Sequence, residues 1–257
     1  MQKVQDVYNA FKKTTPSGVD ELKSLKMTHH AKRDAFQRTT ALAVDIYNNR
    51  FNKTERNRKD KIWQLLCIYC FQKFISLEDI VLDLGAGNCE FINHIKCRKK
   101  IAIDMNPDTK KYANRDVEVL DLNPNSLGKM FPKKIDKVFV SNFFEHLSSK
   151  EELLDFMDAI YMILKPGGMV IVMSPNINLA NGKYWDYIDH KLPLTASSIV
   201  EGLEISNFQI VEVVEKFLPF TTKNSLPVFS WMLYLYLKIP SWLRIGAGQS
   251  LIVAQKN

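Results

Sequence analysis

No stretch of this chain reaches the ~18 consecutive apolar residues of a membrane-spanning helix, and its opening residues hold no signal-type apolar core. A cytoplasmic location is the expectation. Cysteine is scarce, with four in 257 residues. Cys67 and Cys70 stand at Cys-x-x-Cys spacing inside an apolar helical pattern, and Cys89 and Cys97 supply no second pair. That argues against a cysteine metal site and for buried thiols in a reducing compartment, so no metal is expected. Internal repeats are absent. The basic segments lack interleaved aromatics and any reader motif, which argues against a nucleic-acid partner.

At 46% hydrophobic, a chain of this length can bury the core of one large α/β domain with added elements. Its formal charge of +7 is unevenly spread: residues 1–62 carry 14 Lys plus Arg against 7 Asp plus Glu, and the remainder carries 21 of each. The densest basic block, Arg50 to Lys61, reads as a solvated helix face or as a cradle for an anionic ligand such as a nucleotide sugar or phosphoglycan.

Residues 81–91 read as a buried strand that breaks into a turn and opens a helix. Val81, Leu82 and Leu84 form the strand, while Gly85 and Gly87 permit positive φ and close backbone approach, with helix N-terminal amides beyond them. A dinucleotide fingerprint needs a third glycine three residues after the second, and Glu90 occupies that position, where it repels a pyrophosphate. Asp83, just before the turn, likewise favours a cationic or amine-bearing ligand. Asp104 ends the next apolar run, 21 positions after Asp83, close to the ~20-residue spacing at which an acid grips ribose hydroxyls. Further strands are expected at 117–122, 137–142, 169–173 and 208–215. A helix between them has Ser149 as its N-cap and apolar Leu153, Leu154, Met157, Ile160, Tyr161 and Leu164 at helical spacing. Such alternation implies a parallel sheet with right-handed crossovers.

The runs Asp-Leu-Gly-Ala-Gly, Ile-Asp-Met-Asn, Ser-Asn-Phe-Phe-Glu-His-Leu and Leu-Lys-Pro-Gly-Gly, in this order and spacing, resemble a class I S-adenosylmethionine-dependent methyltransferase over roughly residues 55–257. The resemblance implies a Rossmann-like, doubly wound seven-stranded sheet whose last strand, at 250–255, is antiparallel. It also implies S-adenosylmethionine as cofactor and S-adenosylhomocysteine as product. Carried over by position, it assigns Asp83, Gly85, Ala86 and Gly87 to the methionine end and ribose side. Asp104 takes the ribose hydroxyls, Met105 packs on adenine, Asp121 and Leu122 hold the adenine edge, and Asn142 with Phe143 line the sulfonium side. Cys89 is a departure, since many members carry a glycine there. Residues 98–108, 184–195 and 216–227 resemble a bacterial subgroup associated with cell-surface polysaccharide and other glycan assembly. That narrower resemblance implies O-methylation of a sugar or glycan acceptor. An N- or C-methyltransferase of a small metabolite, or a non-catalytic cofactor-binding scaffold, shares the same cofactor motifs.

By this reading residues 1–77 are a helical extension that lids the site, and 78–257 are the methyltransferase domain. Within residues 1–44, Val4, Val7, Tyr8 and Phe11 outline an amphipathic helix that docks on the core or on a second subunit, as in a homodimer. Residues 218–249 are an apolar insertion, read as a substrate cap or subunit interface, as a peripheral membrane patch, or as core packing.

A hydroxyl acceptor needs a base, and His146 and His190, both expected at carboxyl ends of strands, titrate in the useful range. Asp189 is placed to orient His190. Glu145 positions substrate or contacts cofactor, and Tyr184 with Tyr187 line the acceptor pocket. Each also has a structural reading, His146 as a brace for its helix and the tyrosines as packing. Thr195 and Ser198 are candidate caps for the next helix, with Ser198-x-x-Glu201 at capping-box spacing.

Overall fold

The computed structural model describes residues 52–120, 127, 131, 133–180, 182–220 and 230–257. The expected amphipathic helix within 1–44, and Asp121 with Leu122, lie outside them. Seven strands, β1 Ile80–Leu84, β2 Lys99–Ile103, β3 Val117–Leu120, β4 Ile135–Ser141, β5 Leu164–Pro175, β6 Phe208–Pro219 and β7 Ala247–Lys256, form one sheet of order β3-β2-β1-β4-β5-β7-β6. The first five pair in parallel, and β7 runs antiparallel to both β5 and β6. The Rossmann-like sheet with an antiparallel last strand is therefore as expected. Its helices are α1 Lys53–Tyr69, α2 Glu90–His94, α3 Thr109–Tyr112, α4 Lys150–Ile163, α5 Ile177–Ala180, α6 Ala196–Ile205 and α7 Ser230–Lys238.

Central parallel strands are covered on both faces, which is why β1 and β4 read as nearly unbroken apolar runs. On one face Leu82, Leu84, Ile101, Ile103, Val138, Val140, Val170 and Val172 pack under Leu153, Phe156, Met157 and Ile160 of α4 and Ile199 and Leu203 of α6. On the other, Val81, Ala102, Phe139, Ile171 and Val253 meet Trp63, Leu66 and Cys67 of α1, Phe71, and Phe91 and Ile92 of α2. Each fully buried side chain of this size contributes roughly 1.5–3 kcal/mol. Cys67 and Cys70 sit in this second layer as small hydrophobes, and burial pushes the Cys70 thiol up to about 11.

Local signals set the helix ends. Asn52 caps α1 through a capping box, its side chain accepting from the Glu55 amide at 2.9 Å while its own amide donates to Glu55 at 2.8 Å. Ser149 caps α4 as expected, accepting from the Glu152 amide. At α6 the box uses Thr195 with Ser198, not Ser198 with Glu201, because Thr195 is the extended residue before the helix and Ser198 is its third position. Leu164, expected at helical spacing, is already strand: β5 starts there, pairs with Ile135, and shifts register before Lys137 meets Met169. Gly168 is required there, since a Cβ would lie 2.9 Å from the Lys165 carbonyl.

The apolar insertion divides the expectations made for it. The helix α7 has no fully buried side chain, yet Leu233, Tyr236 and Leu237 pack half-buried against the second core layer, so core packing holds one face of it. Trp231, Trp242 and Ile245 are 60%, 71% and 95% exposed. The base of the insertion is nonetheless clamped by buried Arg244, whose guanidinium donates to the carbonyls of Leu237 and Ile239 at the end of α7 and of Lys216 and Phe217 in β6. A cation is favoured at a helix carboxyl end, and this one satisfies its otherwise orphaned carbonyls.

Candidate active site

Strand order reverses between β1 and β4, and the crevice beyond their carboxyl ends is where open α/β sheets take ligands. The turn after β1 lies against that crevice. The amides of Gly85 and Ala86 donate to the Ile103 carbonyl at 2.9 and 3.2 Å, tying the turn to the end of β2. Gly85 has φ +74°, and a Cβ on it would sit 2.8 Å from the Phe143 ring, so both conformation and space demand glycine. Cys89 has φ +62°, the left-handed conformation that explains why glycine suits this position. Its buried thiol gives it compensating contact.

Three carboxylates converge here. Asp104 accepts from the Gly87 amide at 2.6 Å through one oxygen and from the Asn106 amide at 2.7 Å through the other. Two acceptors of this kind still leave lone pairs for a ligand's hydroxyls. Burial raises the Asp104 carboxyl above its ordinary value, opposed by those two amides and by the charge of nearby His146. Asp83 is buried, and burial, then Glu90, then Asp104 lift its carboxyl well above the carboxylate range. Glu90 is held by Lys59 at 2.9 Å. A cleft opens among Asp83, Gly85 to Gly87 and Glu90 on one side and Ser141 and Asn142 on the other, with Lys59 and Trp63 of α1 as its wall. The buried acid Asp83 in this lining suits a ligand carrying positive charge, which lowers the cost of ionising it.

Asn142 leaves β4 with φ +49°, its amide donating to the Met173 carbonyl at 2.9 Å. Phe143 backs Gly85 and packs edge-on against Phe156 at 5.2 Å. Met105 follows Asp104 half-buried.

A second cluster forms where the turn after β4 meets the connector after β5. The Glu145 carbonyl accepts from the amides of Lys191 and Leu192 at 2.8 and 3.0 Å, fastening the two segments. The imidazoles of His146 and His190 lie 5.3 Å apart, and His190 stacks on Tyr187 at 4.9 Å. Asp189 stands beside His146, whose Nδ1 is 2.9 Å from the Asp189 carbonyl and 3.5 Å from its carboxylate. Tyr184, expected to line the acceptor pocket, lies in the core. It is wholly buried, donates to the Leu192 carbonyl at 2.5 Å, and its phenol is pushed far up by burial.

Sequence reasoning missed Lys59, Trp63 and Phe139 as parts of the cleft. Lys59 was visible only as one charge in a run, yet it stands one helical turn before Trp63, on the same inward face of α1. Arg56 of that run donates to the Tyr112 hydroxyl at 2.9 Å, and Asp60 meets His94 at 2.8 Å. The block is thus partly committed to its own domain.

Residues 82–172 match a family model described as a methyltransferase domain. The fold is similar to that of a SAM-dependent methyltransferase from Archaeoglobus fulgidus, at 21% identity and TM-score 0.61, covering 82% of this chain and 100% of that one. It is also similar to a SAM-dependent methyltransferase from Methanosarcina mazei, at 16% identity and TM-score 0.53, covering 72% and 96%. A third likeness is the cyclase SpnF, at 14% identity and TM-score 0.52, covering 77% and 80%. No curated protein sequence matches. The segment matched is similar to a methyltransferase domain, and the sheet has the fold of the structures to which it is similar. Because a cyclase shares that fold, the chemistry of this chain rests on its own site.

Proposed function

We propose that this chain is an S-adenosylmethionine-dependent methyltransferase acting on a hydroxyl of a sugar or glycan intermediate. The observation that carries the reading is the tie between Asp104 and the glycine turn, an acid at the end of β2 fastened beside an acid-lined cleft at the sheet's switch point. When bound, S-adenosylmethionine supplies the methyl group and is left as S-adenosylhomocysteine. Asp83 and the backbone of Gly85, Ala86 and Gly87 hold the cationic methionine end. Asp104 accepts from the ribose hydroxyls, and Met105 packs on the base, with Asp121 and Leu122 at its edge. Asn142 and Phe143 face the sulfonium. Residues 1–77 serve as the lid over residues 78–257, and Lys59 with Trp63 support that role by walling the cleft. The acceptor lies over Glu145, Tyr187 and the two histidines. Methyl transfer is an in-line displacement, so the chain's work is alignment and removal of the hydroxyl proton at the His146 and His190 cluster.

Calorimetry with S-adenosylhomocysteine tests the donor assignment, with one site per chain expected. No heat of binding to folded protein refutes it. The acceptor class is tested by transfer of labelled methyl to nucleotide sugars and to glycan fragments. Label appearing only on amines or carbon acids instead favours an N- or C-methyltransferase of a small metabolite.

The insertion supports a peripheral partner, an anionic membrane surface. Lys216 stands just before the insertion and Lys238 ends α7, and the exposed side chains of α7 and the turn after it include two tryptophans. Aromatic and basic side chains together favour a headgroup interface. Among the described residues no helix is long and apolar enough to cross a membrane.

A further inference from the structure

We propose that Glu145, His146 and His190 bind a divalent transition-metal ion at the acceptor end of the cleft. Among the described residues this is the group of His, Cys, Asp and Glu whose ligand atoms converge, one from each residue and all within 4.8 Å of one another. Bound to one ion at ~2.0–2.2 Å, three such atoms stand roughly 3–4 Å apart, so the unliganded spacing closes by small side-chain rotations. The ligand types, two imidazoles and a carboxylate, suit manganese, iron, cobalt or zinc better than calcium.

A second observation is independent of that spacing. The Nδ1 of His146 faces the Asp189 carbonyl at 2.9 Å, with the Asp189 carboxylate at 3.5 Å. A proton on Nδ1 serves both acceptors, which leaves the Nε2 lone pair for a metal. Histidine ligands are oriented in this way by a carbonyl or carboxylate behind them. His190 is fixed by its stack on Tyr187. Glu145 is buried at 1% exposure, an expensive place for a carboxylate, and a divalent ion would stabilise its charge. Three protein ligands leave coordination positions open.

The ion site stands on these contacts alone. Its use rests on the methyltransferase reading: an acceptor hydroxyl bound at an open position loses its proton to water at lower pH. Its oxygen then takes the methyl group while the sulfonium sulfur keeps the electron pair of the broken carbon–sulfur bond.

The test titrates the full chain, freed of metal by chelation, with Mn²⁺ and with Co²⁺. One ion per chain is expected, and the Co²⁺ complex should show the spectrum of nitrogen and oxygen ligands. Glu145→Gln and His190→Asn should each weaken binding by at least tenfold, and Asp189→Asn, which keeps the backbone carbonyl behind His146, by much less. Each variant's melting temperature and its affinity for S-adenosylhomocysteine show that it is folded. Absence of binding to the wild type, thiolate bands in the Co²⁺ spectrum, or unchanged affinity in folded Glu145→Gln and His190→Asn proteins overturns the site. Loss of S-adenosylhomocysteine binding with ion binding intact counts against the methyltransferase reading instead.

Discussion

The cleft at the glycine turn, the donor end, and the side-chain cluster proposed as the acceptor end are built in opposite ways. At the donor end one contiguous segment, Asp83 to Glu90, does most of the work, and backbone amides tie it to β2 through Ile103 and Asp104. At the acceptor end, residues more than forty positions apart are brought together by the Glu145 carbonyl gripping Lys191 and Leu192. A turn whose backbone touches a ligand tolerates few sequences. A site assembled from side chains on two connectors can change acceptor without disturbing the sheet. The donor end therefore speaks for a class of chemistry, and the acceptor end for this chain in particular.

The largest expected effect falls on the donor end. Asp104→Ala removes the acceptor for the Gly87 and Asn106 amides together with the grip proposed on the ribose. Lost hydrogen bonds to a charged group cost about 1.5–3 kcal/mol, a weakening of S-adenosylhomocysteine by roughly 10- to 150-fold. A His190→Asn protein should keep its affinity for S-adenosylhomocysteine and lose turnover. If both variants lose the donor equally, the division of the cleft into two independent ends is wrong.

Asp83→Asn sharpens the same contrast by separating stability from function. Burial, Glu90 and Asp104 hold the folded-state pKa of Asp83 above its unfolded value of ~3.9. A raised folded pKa favours the fold below the unfolded pKa, and that contribution is lost as pH rises through the folded pKa. The variant should therefore melt higher than wild type at pH 8 and by a smaller margin near pH 4. Its affinity for the cationic donor should fall most at high pH, where only the wild type is ionised. Equal melting differences at both pH values would mean that Asp83 is ionised at no special cost.

How legible each end was follows from the same difference. Gly85, Gly87 and Asp104 could be picked out because residue type, local spacing and backbone conformation coincide, and even the departure at Cys89 marks a left-handed position. Lys59 was hidden because one charge in a basic run looks like the others until α1 turns it toward Glu90. His146 and His190 stood out singly as alternative bases. Their convergence with Glu145 depends on a tertiary contact between two connectors, and no local period encodes that. The metal expectation considered only cysteines, whose positions in the second core layer exclude them.

On the outer edge of the acceptor end, the insertion predicts a partner effect without a stability effect. Replacing Trp231 and Trp242 together by Ala should abolish most co-sedimentation with vesicles containing phosphatidylglycerol, and leave the melting temperature nearly unchanged, since both rings are largely exposed. Binding that survives the double variant but vanishes in high salt would assign the contact to Lys216 and Lys238 alone. Failure of the wild type to bind vesicles would leave the exposed face to a protein partner.

The smallest effect expected is at Tyr184, and it decides where the acceptor pocket ends. Its hydroxyl donates to the Leu192 carbonyl inside the core, and the same loop carries the stacked Tyr187 and His190. Tyr184→Phe keeps the ring and its packing while leaving that carbonyl without its side-chain donor. A net loss of about 1 kcal/mol is expected, read as a few degrees in melting temperature for a chain of this size. Because the connector is also fastened by the Glu145 carbonyl, the position of His190 should hold, with KM for the acceptor unchanged. A large rise in KM with no change in melting temperature would put the phenol in contact with the acceptor, against its complete burial. Tyr187→Phe is the matched control: its ring is half-buried and stacked on His190, so an effect of losing its hydroxyl should appear in acceptor kinetics, not in stability.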